Sequence, residues 1–274
     1  MTWVAFPSFF LLSSALGATL AASQWTGPRM EDCEPKICGQ TNVSYPFWLP
    51  GRQPSYCGFP SFSLTCDNNV PTIQISGQDH YIQSIFYQNQ SMLVANAEYV
   101  DDSCPVAHLN LSVDPKSFTI SSANKALLFS YCPEPPPNQY RVPCASTNTS
   151  VFLGGSMMPS HINLSSQCDT VVAPVLAYPG ANSSDYATLL KNGFLLDWTV
   201  TDCTECATSG GKCGYANTTQ QFICICADGA HSTICSLLPN IKNLAAVMRF
   251  QLPEFSFISL EGVRICNCRP SSVN

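Results

Sequence analysis

Cys203-x2-Cys206 and, further on, Cys224-x-Cys226 place four thiols at a spacing that a tetrahedral zinc ion would accept. The same thiols could instead be oxidised into bridges, and a Cys-x2-Cys pair can also serve as a redox couple where it opens a helix of a thioredoxin-type unit. Cysteine usage over the whole chain decides between these. There are 16 cysteines, unevenly spaced and all beyond residue 32, a density that fits an oxidising compartment and not a cytosol that keeps thiols reduced. Disulfides without metal are therefore expected at Cys33, Cys38, Cys57, Cys66, Cys104, Cys132, Cys144, Cys168, Cys203, Cys206, Cys213, Cys224, Cys226 and Cys235. Cys224 and Cys226 stand too close in sequence for an ordinary mutual bridge, so each should reach a more distant partner. Beyond that the connectivity stays open, as does the pairing of Cys266 and Cys268, within the chain or with a partner.

Other chemistries find less support. Ser209-Gly210-Gly211-Lys212-Cys213 has the look of a phosphate loop, but Cys206 occupies the position of the required first glycine and no Ser or Thr follows the lysine; it reads as a turn between bridges. His80, His108, His161 and His231 have no helical metal-ligand spacing, and no serine lies in a nucleophile elbow. The carboxylate pairs Asp101-Asp102 and Asp202/Glu205 read as solvated loop positions and not as an acid–base couple. No catalytic residue is assigned, and hydrolase or protease-inhibitor activity ranks last. The stretch that invites a ligand is Tyr45-Pro46-Phe47-Trp48. Aromatic rings can stack on sugar faces while polar neighbours fix hydroxyls; the competing reading is the core of a small module, where aromatics dominate. Strand alternation would put Tyr45 and Phe47 on one side and Trp48 on the other. Tyr56, Lys36 and Arg52 complete the candidate ligand-binding set.

These residues need a scaffold, and the composition describes one. Residues 1–23 carry no charge and end in Ala21-Ala22-Ser23, which reads as a secretory signal peptide and places the mature chain in the extracellular space or cell wall. Sequons at Asn42, Asn89, Asn110, Asn148, Asn163, Asn182 and Asn217 agree with secretion and mark candidate N-glycosylation sites. Charged residues make up 11% of the chain and the net charge is −6, which speaks against a nucleic-acid partner. With 21 prolines and 15 glycines, short strands between turns are favoured over long helices. Phe62–Cys66, Thr72–Ile75 and Tyr81–Ile85 alternate like half-buried strands, with Gly77-Gln78-Asp79 as a hairpin turn, and Leu127–Cys132 reads as a buried strand. A short helix is expected over Asp185–Lys191, capped by Asn182, Ser183 or Ser184 and ended by Asn192-Gly193, with a strand following to Trp198. The expected fold is mainly β and disulfide-rich: two small β modules, 33–104 and 105–235, with short helices and long loops. A divergent, poorly ordered tail, 236–274, is expected to follow, without a membrane span.

Two ordered multi-cysteine motifs carry a family resemblance. Cys33-x4-Cys38-Gly39, Asn42-Val43-Ser44-Tyr45-Pro46-Phe47-Trp48 and Cys57-Gly58-x-Pro60-x-Phe62-x-Leu64-x-Cys66 resemble the galacturonan-binding module of plant wall-associated receptor kinases. Gly193-Phe194-x-Leu196-x-Trp198, Cys203-x2-Cys206-x2-Ser209-Gly210-Gly211-x-Cys213-Gly214 and Phe222-x-Cys224-x-Cys226-x-Asp228-Gly229 resemble the cysteine-rich C-terminal module that accompanies it, most closely in the leaf-rust-resistance-locus type. The resemblance implies an extracellular sensor of pectin or oligogalacturonides. Such proteins usually continue into a membrane span and a cytoplasmic Ser/Thr kinase; neither a span nor a Gly-rich nucleotide loop, His-Arg-Asp or Asp-Phe-Gly segment occurs in this chain. The charge balance bears on the implied ligand. Between Cys33 and Cys104 the basic residues are Lys36 and Arg52, against Glu34, Asp67, Asp79, Glu98, Asp101 and Asp102. Long-range capture of a polyanion is disfavoured; uronate binding would need a local site at Lys36 or Arg52, a bridging Ca²⁺, or a methyl-esterified stretch. The alternative is a protein- or peptide-binding ectodomain, acting on a receptor or co-receptor, or a soluble decoy of a receptor-like kinase.

Overall fold

The computed structural model describes residues 27–134, 141–146, 148–156 and 168–236. The expected signal peptide, Asn163, the tail and its two cysteines lie outside them. The first strands form a small hairpin, β1 (Lys36–Cys38) with β2 (Thr41–Val43), which Cys38–Cys66 ties to β3 (Thr65–Asp67). The aromatic segment 44–62 then loops over the sheet that follows. That sheet runs β3, β4 (Val70–Ile75), β5 (Gln78–Phe86) and β6 (Ser91–Asn96) as antiparallel neighbours. Alternation in β4 gives the burial expected of a strand with one face on a core. The turn between β4 and β5 is Ser76-Gly77, with φ of 52° and 78°, as a two-residue I′ hairpin requires. Gln78 and Asp79, expected in that turn, are the first residues of β5. The run from Phe62 is likewise not one strand: Pro60–Phe62 is a 3₁₀ turn, Ser63 makes an isolated bridge to Trp48, and pairing with β4 begins at Thr65.

Beyond Cys104 the chain builds a second sheet and also returns to the first. β8 (Lys125–Tyr131) lies between β9 (Thr149–Ser156) and β10 (Asp169–Val175). Asn182 caps the turn that leads into α2 (Tyr186–Asn192): its side chain accepts from Ser184 N–H while Asp185 accepts from its backbone N–H, a capping box. Gly193 (φ 77°) ends the helix, and a Cβ there would stand 2.0 Å from the carbonyl oxygen of Val94. The glycine thus lets the chain turn directly against β6. β11 (Phe194–Trp198) follows and pairs with β6 on one side and with β7 (Phe118–Ile120) on the other. The large sheet therefore has the order β3-β4-β5-β6-β11-β7; its last two strands come from beyond Cys104. One core fills its inner face, with Phe47, Phe62, Leu64, Ile73, Met92, Leu196 and Trp198. The other face of β6 is covered by α2 and the short α1 (Ala97–Asp101).

The cysteine-rich end is a three-stranded meander, β12 (Lys212–Ala216), β13 (Gln221–Cys226) and β14 (Gly229–His231), with α3 (Thr204–Thr208) before it. Its core is mostly sulfur: Cys203–Cys213, Cys206–Cys224 and Cys226–Cys235. The four thiols that spacing alone would offer to zinc thus sit in three separate bridges, and Cys224 and Cys226 do reach different partners. A Cβ at Gly211 would lie 2.4–2.8 Å from the sulfurs of Cys224, Cys235 and Cys206, so only glycine lets the backbone pass this knot. The remaining bridges are Cys33–Cys57, Cys104–Cys144 and Cys132–Cys168. The fold is mainly β and disulfide-rich, as expected.

Candidate functional site

Tyr45 stands where the two halves of the sequence meet. Its hydroxyl donates to the carbonyl of Thr201 at 3.1 Å, and its ring packs on Phe59 and, edge-on, on Phe222 of β13. Burial, and secondarily the Asp202 carboxylate, push the phenol far above its ordinary range, so it stays a neutral hydrogen-bond donor. Pro46, joined to Tyr45 by a cis peptide bond, turns the segment. Phe47 then drops into the core with no exposure, edge-on to Trp198 at 5.0 Å and to Phe62 at 5.3 Å. Trp48 takes a third direction, packing against Cys33, Cys57 and Ile225, with Nε1 donating to the Phe59 carbonyl. The expected two-sided alternation does not form because the segment is a turn, not a strand.

Beside Tyr45 lies a cleft of about 430 Å³, inside the size range of small-molecule sites, ~300–1,000 Å³. Tyr45, Pro46, Tyr87, Trp198 and Val200 make its apolar wall; Gln88, Gln90, Thr201, Asp202 and Thr204 supply its polar atoms, with Cys203 and Ala207 at the edge. Tyr87 is fixed by its hydroxyl, which donates to the Asn42 carbonyl (2.8 Å) and accepts from Ser44 N–H (2.9 Å); burial raises its pKa. Trp198 ends β11, and its backbone N–H donates to the Gln90 carbonyl at 2.9 Å. Among the described residues the side-chain polar atoms of Gln88, Gln90, Thr201 and Thr204 make no hydrogen bond. Asp202 Oδ1 accepts a long bond, 3.3 Å, from Thr204 N–H. Half-buried rings beside unengaged amides and hydroxyls are what a sugar needs: faces to stack on and partners for its hydroxyls.

Of the residues expected to bind, Tyr45 alone lines this cleft. Phe47 is corrected to a core residue, because a fully covered ring cannot touch a ligand. Trp48 is half-buried in the packing around Cys33–Cys57. Tyr56 borders a separate, larger hollow with Arg29, Asp32 and Asp228; its hydroxyl donates to Asp32 at 2.5 Å, and that bond, then Arg29, holds the Asp32 carboxyl below its usual range. Arg52 is spent on the Ile37 carbonyl at 3.1 Å, and Lys36 lies on β1; neither lines the cleft. Sequence reasoning missed Tyr87, Gln88, Gln90, Trp198, Thr201 and Thr204, and read Asp202 as bare surface. Trp198 stood in a motif already noted, but nothing local signalled that it would meet Tyr45. The sequon residues Asn42, Asn89, Asn110, Asn182 and Asn217 are exposed and Asn148 partly so; Asn89 lies between two residues of the cleft wall.

Comparison with known proteins adds the family. Residues 33–96 match the model described as wall-associated receptor kinase galacturonan-binding, and residues 140–229 match wall-associated receptor kinase C-terminal. The Arabidopsis thaliana protein leaf rust 10 disease-resistance locus receptor-like protein kinase-like 1.2 is 37% identical over 89% of this chain and 40% of its own length. The like 2.1 protein of the same plant is 27% identical over 76% and 35%. A third Arabidopsis relative, carrying the name RING-H2 finger protein ATL21A, is 26% identical over 71% and 54%. No solved structure matches. The chain spans about two fifths of the length of the first of these relatives, and both matched modules are of the receptor-ectodomain kind; no kinase domain is among them. Among the described residues no helix is long and apolar enough to cross a membrane. With both modules present in order and the relatedness running through nearly the whole sequence, the chain belongs to the wall-associated receptor kinase ectodomain family, in its leaf-rust-resistance-locus receptor-like kinase branch.

Proposed function

We propose that this ectodomain recognises cell-wall polysaccharide of the pectin class, outside the cell, through the cleft between Tyr45, Tyr87 and Trp198. The observation that carries the reading is the pairing of the half-buried rings of Tyr45 and Tyr87, backed by the buried Trp198, with unengaged amide and hydroxyl groups in one concave site, in a chain whose first module matches a galacturonan-binding model. Binding there needs no catalytic group. Ca²⁺ would enter only as a bridge between de-esterified strands. The test is calorimetric titration of the oxidised, secreted protein with defined oligogalacturonides, at two salt concentrations. Saturable binding that survives salt and is lost in Tyr45→Ala supports the reading. If no wall oligosaccharide binds under any condition, the reading fails and a protein or peptide partner, including a decoy role toward a receptor-like kinase, takes its place.

A further inference from the structure

The cleft has a sign. Among the residues that line it there is one carboxylate, Asp202, and no lysine, arginine or histidine. Three cations that lie outside it are committed elsewhere: Lys212 pairs with Glu34 at 3.1 Å, Arg29 with Asp32 at 3.1 Å, and Arg52 holds the Ile37 carbonyl. Resting on the polysaccharide reading above, we propose that the cleft takes an uncharged stretch of galacturonan, its carboxyls methyl-esterified, and that Asp202 is the residue that selects against free uronate.

The chemistry of the wall favours such an occupant. A carboxylate accepts hydrogen bonds and offers none. Asp202 Oδ2 has no protein donor among the described residues, so it is available to ring hydroxyls, which donate. A free uronate brings a second acceptor-only anion and nothing with which to neutralise the first. Val200, half-buried in the wall shared with the rings of Tyr45 and Tyr87, offers an apolar surface that suits an ester methyl and would desolvate a carboxylate to no gain. Two unit charges about 4 Å apart repel by ~1 kcal/mol even at the dielectric of water, which is about fivefold in affinity, and more where the cleft excludes solvent. Long-range attraction elsewhere does not compensate, since the chain as a whole carries −6.

The decisive experiment titrates the oxidised protein, in chelator, with oligogalacturonides of one length in methyl-esterified and free-acid form. The expected result is at least about fivefold tighter binding of the ester, from the repulsion above. Asp202→Asn should bring the ester-to-acid ratio toward one, and Asp202→Lys should invert it. Asp202 is exposed, so both variants are expected to fold, which thermal unfolding checks. Free acid bound as tightly as ester by the wild type, or a ratio unmoved in Asp202→Asn, would overturn the charge rule while leaving polysaccharide recognition standing. Absence of binding by either form would instead remove the recognition on which the rule rests.

Discussion

Residues 27–104 expressed alone, with Cys104→Ser to avoid an orphan thiol, should fail to hold the native sheet. The fragment keeps Cys33–Cys57 and Cys38–Cys66 and the whole region matched by the galacturonan-binding model, so its sequence looks self-sufficient. What it lacks is β11. That strand places Phe194, Leu196 and Trp198 in the core, 5%, 0% and 3% exposed, and covers the edge of β6 from Ser91 to Val94. Full burial of such side chains is worth ~1.5–3 kcal/mol each, hence about 5–9 kcal/mol for the three. A domain of this size has only ~5–15 kcal/mol in total. Losing β11 therefore removes a sum comparable with the whole stability, before counting the uncovered hydrogen-bonding edge. The assay is urea unfolding followed by far-UV circular dichroism, with residues 27–236 as the reference and a thiol count to show that both bridges have formed. A cooperative transition in the short fragment within about 1 kcal/mol of the reference would refute the reasoning.

Three further outcomes are expected. Tyr87→Phe removes the hydroxyl that joins Asn42 and Ser44 and should cost ~1–3 kcal/mol by leaving the Ser44 N–H short of a partner, measurable by the same unfolding assay. His80 is 1% exposed, beside the Gln78 carbonyl and edge-on to Phe194, and burial lowers its pKa from 6.5, with the Gln78 carbonyl and Asp79 opposing. A lowered folded value means that the neutral form is favoured on folding, so this contribution is complete above pH 6.5 and is lost as pH falls through the folded pKa; His80→Gln should flatten that slope in a pH series of melting temperatures. Among bridges, replacing both partners of Cys104–Cys144, 40 residues apart, should cost more than replacing Cys226–Cys235, 9 apart; loop-closure entropy gives about 4 against about 3 kcal/mol, and an equal or reversed order in denaturant midpoints would count against that account.

Local pattern was legible wherever local physics decides. β4, β5, β8 and β11 follow from their apolar runs, and α2 from Asn182 at one end and Gly193 at the other. β6 was not read as a strand, because both its faces are covered and its burial runs almost unbroken from Ser91 to Asn96; alternation, the usual signal, is absent in such a strand. The β4–β5 turn was read as starting one residue late and running two residues too far because Ser76, unlike Asn or Asp, gives no warning of a positive φ. The cleft was illegible for a different reason. Tyr45, Tyr87 and Trp198 come from three separate stretches, and only the pairing of β11 with β6 brings them together.

That pairing also governs what can be exchanged during evolution. The last two strands of the large sheet are encoded well after the point where the first module's match ends. A recombination event that kept the first module and replaced the second would discard Phe118, Phe194, Leu196 and Trp198 from one core, and one wall of the cleft. The two are thus inherited as a single cassette, free to travel only together. The relatives fit this: those named as receptor-like kinases and the two named as RING-H2 finger proteins align over 65–89% of this chain, a longer stretch than either module alone, whatever follows it.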